Sequence, residues 1–172
     1  MDNSVIPSKI NMFNLYNGSK NVGITGEVQL PDIEMMSEEL KGSGILGSID
    51  DPAIGQFNSL YIDIPFQVTN DCYFDLSNPL LSIPLTLRGS VQVTDRDGNV
   101  KFKGMRIVMR GKQKKLTPGT VKLAAGMESK VGLELTYYMV EYDGKKRIEI
   151  DKLNSVFKLN GVDVLAAARA LC

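Results

Sequence analysis

Residues 130–163, KVGLELTYYMVEYDGKKRIEIDKLNSVFKLNGVD, constrain the fold more than any other stretch of this chain. From Gly132 to Tyr142 the run holds no proline and is largely aliphatic, aromatic or threonine. That is the composition of a strand on a pleated, half-buried surface. Asp143-Gly144 separates it from a second such run, and a tight primed turn needs the positive φ that glycine supplies. A long hairpin is therefore expected as the spine of a mainly β protein, one parity facing the interior and the other outward.

Other segments repeat the pattern. After the turn pair Asn17-Gly18, Val22, Ile24, Val28 and Leu30 share one parity until Pro31 stops the run. Leu60, Ile62 and Ile64 alternate in the same way, as do Leu85, Leu87, Val91 and Val93. Asp97-Gly98-Asn99 then turns into a strand in which Met105, Ile107 and Met109 alternate with Arg106 and Arg110. Asn70 or Asp71 is a suitable N-cap for a short helix ending before Pro79, and the Ala-rich 164–171 segment suits about two helical turns. The expected architecture is one domain over 1–172 with six to eight strands. Those strands form two packed antiparallel sheets or a β-barrel, with one or two short helices. Residues 32–56 break the pattern with acids, Pro52 and the glycines Gly42, Gly44, Gly47 and Gly55. They are expected to form a long extended loop whose 39–56 portion protrudes toward a neighbouring subunit.

The composition excludes much chemistry. The chain has 172 residues, of which 43% are hydrophobic and 23% charged, ordinary for a folded domain. No apolar run approaches the ~20 residues that cross a bilayer, and residues 1–10 lack the pattern of a secretory signal, so cytoplasmic synthesis is expected. Two distant cysteines, Cys72 and Cys172, suit free thiols and neither a zinc ribbon nor a redox pair. There is no histidine, which removes Ser-His-Asp and Cys-His catalysis and most zinc sites. No metal, cofactor or enzymatic activity is expected. Residues 42–47 match G-x-G-x-x-G letter for letter, but the dinucleotide fingerprint requires a strand before it and a helix after it. Here SEELK precedes and Pro52 follows.

Net charge is zero but unevenly distributed. From Glu27 to Asp75 ten acids face one base, a net of −9, and from Leu76 to Cys172 seventeen bases face nine acids, a net of +8. Either these faces neutralise each other within one molecule or they meet head to tail between subunits. The basic run from Lys101 to Lys115 interleaves only Phe102, so it lacks the aromatic platform of a nucleic-acid groove. Candidate inter-subunit contacts are Gly42, Gly44, Gly47, Asp50 and Asp51 on the acidic side and Lys112, Lys114 and Lys115 on the basic side. The alternative is a monomeric β-barrel module that binds an oligonucleotide or small ligand on the 101–115 face.

Several stretches together resemble the major tail tube protein family of contractile-tailed bacteriophages and related contractile bacteriocins. They are NMFNLYNGSKNVGITGEVQLPDIE, the motif Lys41-Gly42-Ser43-Gly44 with Gly47, VMRGKQKKL at 108–116, and above all residues 128–165. Within the last, Glu149-Ile150-Asp151, Asn154 and Asn160-Gly161-Val162-Asp163 keep the family's order and spacing. The resemblance implies a non-enzymatic subunit that forms hexameric rings stacked into a hollow tube within a sheath. Its partners would be itself, the sheath protein, and baseplate and tail terminator proteins. DNA would pass through the bore without specific binding in a phage, and the location would be the virion tail or a bacteriocin particle.

Overall fold

The computed structural model describes residues 5–23 and 26–172. In chain order the elements begin with β1 (Val5–Asn17), β2 (Lys20–Asn21), β3 (Met35–Leu40), β4 (Ile49–Phe57), β5 (Tyr61–Phe66) and α1 (Asp71–Asp75). They continue with β6 (Ile83–Asp95), β7 (Val100–Thr117), β8 (Ser129–Tyr142), β9 (Lys145–Asp151), β10 (Val156–Leu159), β11 (Val162–Asp163) and α2 (Ala166–Arg169). The protein is mainly β, as its periodicity requires, and every strand pairing is antiparallel.

The long strand β8 is the centre of the main sheet. One of its edges pairs with β7, while the other is shared: β5 takes Ser129–Glu134 and β9 takes Tyr137–Tyr142. The full order is β11-β10-β9-β8-β7-β6-β1-β2, with β5 branching from β8. The sheet wraps around one core that collects Leu15 of β1, Ile62 of β5, Leu85 of β6, Met109 of β7, Ile150 of β9 and Phe157 of β10. Each such side chain stabilises the fold by roughly 1.5–3 kcal/mol relative to exposure. Asn70 caps α1 by accepting a 3.0 Å bond from the Tyr73 backbone N–H, and the buried Tyr73 ring meets Phe66 edge-on at 5.6 Å.

Three sequence expectations change. First, β8 does not keep one parity inward. Val131, Leu133 and Leu135 face the core, then Tyr138 does, because Thr136 is an extra residue between the pairs Gly111–Leu135 and Arg110–Tyr137. A β-bulge of this kind inverts the side-chain alternation beyond it. Second, the described residues of 22–30 (22–23 and 26–30) are not in a strand. From this side only Lys20–Asn21 forms a strand against β1, since Gly23 takes φ +62° and carries the chain out of extended geometry. Val22 is buried and Val28 packs against the core, while Ile24 lies outside the described residues. Third, 32–56 is not an irregular loop. It contains β3 and most of β4, which pair with each other and with no other strand among the described residues.

Candidate assembly surface

The β3–β4 hairpin leaves the body from a narrow root. Met35 and Phe57 pack on the core edge, with Phe57 edge-on to Phe157 at 5.0 Å. Beyond that root every residue of the two strands is exposed except Gly55. Gly55 takes φ +81°, and a Cβ there would lie 2.7 Å from Leu165 Cδ2, so the segment after β11 presses on the hairpin at this glycine. At the far end Ile45 N–H donates to Gly42 C=O at 3.2 Å, and Gly44 and Gly47 turn the chain with φ +96° and +100°. A strand follows Gly47 where a dinucleotide fingerprint would open a helix.

The ladder places like charges opposite each other. Glu38 faces Asp51 and Glu39 faces Asp50, an arrangement that weakens an antiparallel pair. Lys41 offsets part of it with a 2.8 Å ion pair to Glu39, and hydrogen bonds from Lys41 and Ser48 hold the Glu39 carboxyl below its ordinary range. Met36, Leu40, Ile49 and Ile54 of the same two strands stand in solvent. Sequence periodicity missed these strands because an exposed ladder has no buried face to alternate with.

The three candidate lysines of β7 part company. Lys114 is engaged internally, 2.8 Å from Glu134 and over the Tyr61 ring at 5.6 Å. Glu134 also accepts from Ser59 Oγ at 2.6 Å and from Leu60 N–H at 3.2 Å, tying β8 to the start of β5. Partial burial pushes the Glu134 carboxyl up, but the bonds from Lys114 and Ser59 outweigh it and hold the group below its ordinary value. Tyr61 lies flat on Gly132, where a Cβ would meet its hydroxyl, and donates to Asp63 at 2.6 Å. Burial, then Asp63, pushes that phenol up to about 12. Lys112 and Lys115, by contrast, are exposed and free of ion pairs among the described residues. No hydrogen bond or ion pair links these lysines to the hairpin carboxylates within the described residues.

The outward face of β7, β8 and β9 is charged and largely paired within the chain, although Arg106 Nε is buried without a hydrogen-bond partner among the described residues. Arg106 pairs with Glu141 at 3.1 Å, and Arg110 sits over the Tyr137 ring at 4.4 Å with Asp151 3.7 Å away. Tyr137 donates to Glu149 at 2.9 Å, and Lys146 reaches the same oxygen at 3.1 Å. Burial and then Glu149 push the Tyr137 phenol up to about 12. The family-like run 149–163 also acquires physical reasons. Asp151 accepts from Leu153 and Asn154 N–H at 3.2 Å and from Asn154 Nδ2 at 2.8 Å, closing the turn from β9 to β10. Asn160 and Gly161, at φ +51° and +84°, make the next turn, and Asp163 caps Leu165 N–H and pairs with Arg169.

Among the described residues no group of three acidic or thiol side chains could hold a metal, and both cysteines are free. An apolar groove of about 490 Å³ lies between β1, β7 and the 26–30 segment and is lined by Ile10, Phe13, Val28, Leu30 and Met105. Among the described residues no helix is long and apolar enough to cross a membrane.

Residues 7–171 match a family whose description is phage tail tube protein FII. The chain is 32% identical to the tail tube protein of Escherichia phage P2 over 95% of this chain and 96% of that one. It is 25% identical to the major tail tube protein of Serratia phage KSP20 over 91% of this chain and 90% of that one. A local match, 29% identical to a Lon protease of Elusimicrobium minutum, spans 42% of this chain but 9% of that one, too small a share to bear on function.

Proposed function

Because this chain belongs to the phage tail tube protein FII family and is a structural subunit of a phage tail tube, we propose that it closes into hexameric rings and that these stack through the β3–β4 hairpin. The stack forms a hollow conduit for DNA inside a contractile sheath. The sheath protein outside, and baseplate and terminator proteins at the ends, complete the particle.

One observation carries the proposal: a two-stranded sheet that no strand among the described residues extends, exposed along nearly its whole length. An isolated two-stranded hairpin is at best marginally stable in water, so a long one that projects from a folded body is suited to a surface beyond that body. At ~3.3 Å per residue the paired ladder from Met35 to Leu40 is about 17 Å long, and the turn through Gly44 carries the hairpin further outward, toward a neighbouring subunit. β1 adds a second unfilled surface. Among the described residues β2 and Val22 cover only Leu15 to Asn17 on its outer edge, and Ile6, Ile10 and Met12 are exposed along the rest. An unpaired edge of that length is an aggregation hazard unless a neighbour continues the sheet. Two different patches that meet heterologously give a ring where the rotation closes and a filament where it does not.

The expected result is uniform rings and tubes of the purified chain by negative-stain electron microscopy. A shortened chain lacking residues 39–48 should keep its far-ultraviolet circular dichroism and form single rings without stacks. A wild-type chain that stays monomeric at high concentration contradicts the proposal.

A further inference from the structure

Resting on this tube reading, we infer that the basic arc from Lys112 to Lys130 is the seat on which the β3–β4 hairpin of a second copy of this chain docks. The arc comprises the end of β7, the connection 118–128 and the first residues of β8. Lys112, Lys115, Lys122 and Lys130 are exposed there, and none makes an ion pair among the described residues. Lys114 is excluded from the seat because Glu134 already holds it. Between the lysines stand Leu116, Val121 and Leu123, the last two almost wholly in solvent at 83% and 101% exposure. Cations with interspersed apolar groups, all uncommitted within their own chain, are what a docking surface offers.

The arc is also preformed. Thr120 N–H donates to Met127 C=O at 2.8 Å and Met127 N–H to Gln67 C=O at 2.7 Å, which closes the connection and pins it to the end of β5. Gly119, at φ +82°, lets the chain pass so close to Met127 that no Cβ fits. A surface ordered before binding loses little entropy on binding.

The hairpin supplies the complement. Its facing pairs, Glu38 with Asp51 and Glu39 with Asp50, repel each other in the free chain. Cations on a neighbour turn that repulsion into attraction, while Met36, Leu40 and Ile49 meet the apolar groups of the arc. The match is heterologous, hairpin to arc, so a docked pair still presents one unused hairpin and one unused arc for the next copy. The outward face of β7–β9 makes less demand, since Arg106, Arg110 and Lys146 are each in an ion pair within the chain.

Charge exchange tests the assignment. One variant carries Glu38→Lys and Asp51→Lys, a second carries Lys112→Glu and Lys115→Glu, and a third combines all four. Each change is on an exposed side chain, and circular dichroism confirms the fold. The first two variants, each alone, should lose at least tenfold of the sedimentable tube formed by wild type. Mixing those two, or using the combined variant, should restore tubes. Folded variants that keep wild-type yield, or a mixture and a combined variant that both fail to recover while wild type assembles, overturn the seat and leave the tube reading standing. Wild-type protein that forms no rings or tubes overturns both.

Discussion

Leu165 closes over Gly55 so tightly that a Cβ at position 55 would lie 2.7 Å from Leu165 Cδ2. Through this contact the segment after β11 becomes a strut for the hairpin that is proposed to stack the rings. The strut is itself held by Asp163, which accepts from Leu165 N–H at 3.1 Å and pairs with Arg169, and by Arg169 Nη1 donating to Ser155 C=O at 2.6 Å. Leu165→Ala removes a half-buried side chain and should cost about 1 kcal/mol of global stability. Its larger effect should be local: backbone amides of β3 and β4 exchange faster by hydrogen–deuterium exchange, and tube yield falls. Unchanged hairpin protection would show that Met35 and Phe57 suffice as anchors.

Gly111 and Gly104 lie on the same strand and should respond oppositely to alanine. A Cβ at Gly111 would sit 2.4 Å from the Glu134 backbone oxygen, whereas one at Gly104 meets nothing within 4 Å. Backbone cannot move aside as a flexible side chain can, so Gly111→Ala should destabilise by about 2–3 kcal/mol. Gly104→Ala should be neutral or stabilising by roughly 0.5 kcal/mol, because alanine loses less entropy on folding. Denaturant titration of the two variants decides it.

Asp151 holds the turn from β9 to β10 through two backbone N–H groups and Asn154. Asp151→Ala leaves those donors to water and should cost about 1–2 kcal/mol, as loss of a helix cap does. Asp151→Asn keeps an acceptor and should recover about half of that by thermal melting. Equal losses from both substitutions would point to the Arg110 ion pair as the larger contribution.

Stability should be level across neutral pH and fall at both ends. Glu134 and Glu149, whose ordinary value is 4.5, have depressed native pKa values, held down against partial burial by Lys114 and Ser59 in one case and Tyr137 and Lys146 in the other. A depressed carboxylate stabilises the fold above its unfolded pKa, and that contribution is lost as pH falls below 4.5 through the native value. Tyr61 and Tyr137, raised to about 12 from 10.0 chiefly by burial, act at the other end. Their stabilisation is complete below pH 10 and is lost as pH rises from 10 to about 12. With no histidine in the chain, no imidazole titrates between these limits. Melting temperature against pH should therefore form a plateau from about 5 to 10, and replacing both tyrosines by phenylalanine should flatten the alkaline fall.

The legibility of this protein in its sequence follows burial. Strands with one wet and one dry face, such as β5 with Ile62 and Ile64 or β6 with Leu85 and Leu87, are written as alternation, and the structure places those residues in the core. Turns are equally plain, because Asp143-Gly144 and Asn160-Gly161 take the positive φ that their residues accept. The hairpin β3–β4 escaped the same reading because neither of its faces is buried, so no apolar alternation marks it. Of the candidate contact residues, the acids and glycines fall together on that hairpin, whereas Lys114 is taken by Glu134, a residue twenty positions away in sequence.

The sequence by itself determined that this chain is a mainly β domain without histidine chemistry. Alternation, turn pairs and composition are local properties, and they carry those conclusions without any knowledge of contacts. Tertiary structure alone decided which lysines remain uncommitted, which glycine lies under Leu165, and where β8 exchanges its inner face for its outer one at Thr136. Each of these depends on what stands across a strand or against a backbone from a distant part of the chain. Pair distances and packing clashes exist only once the sheet has closed around its core.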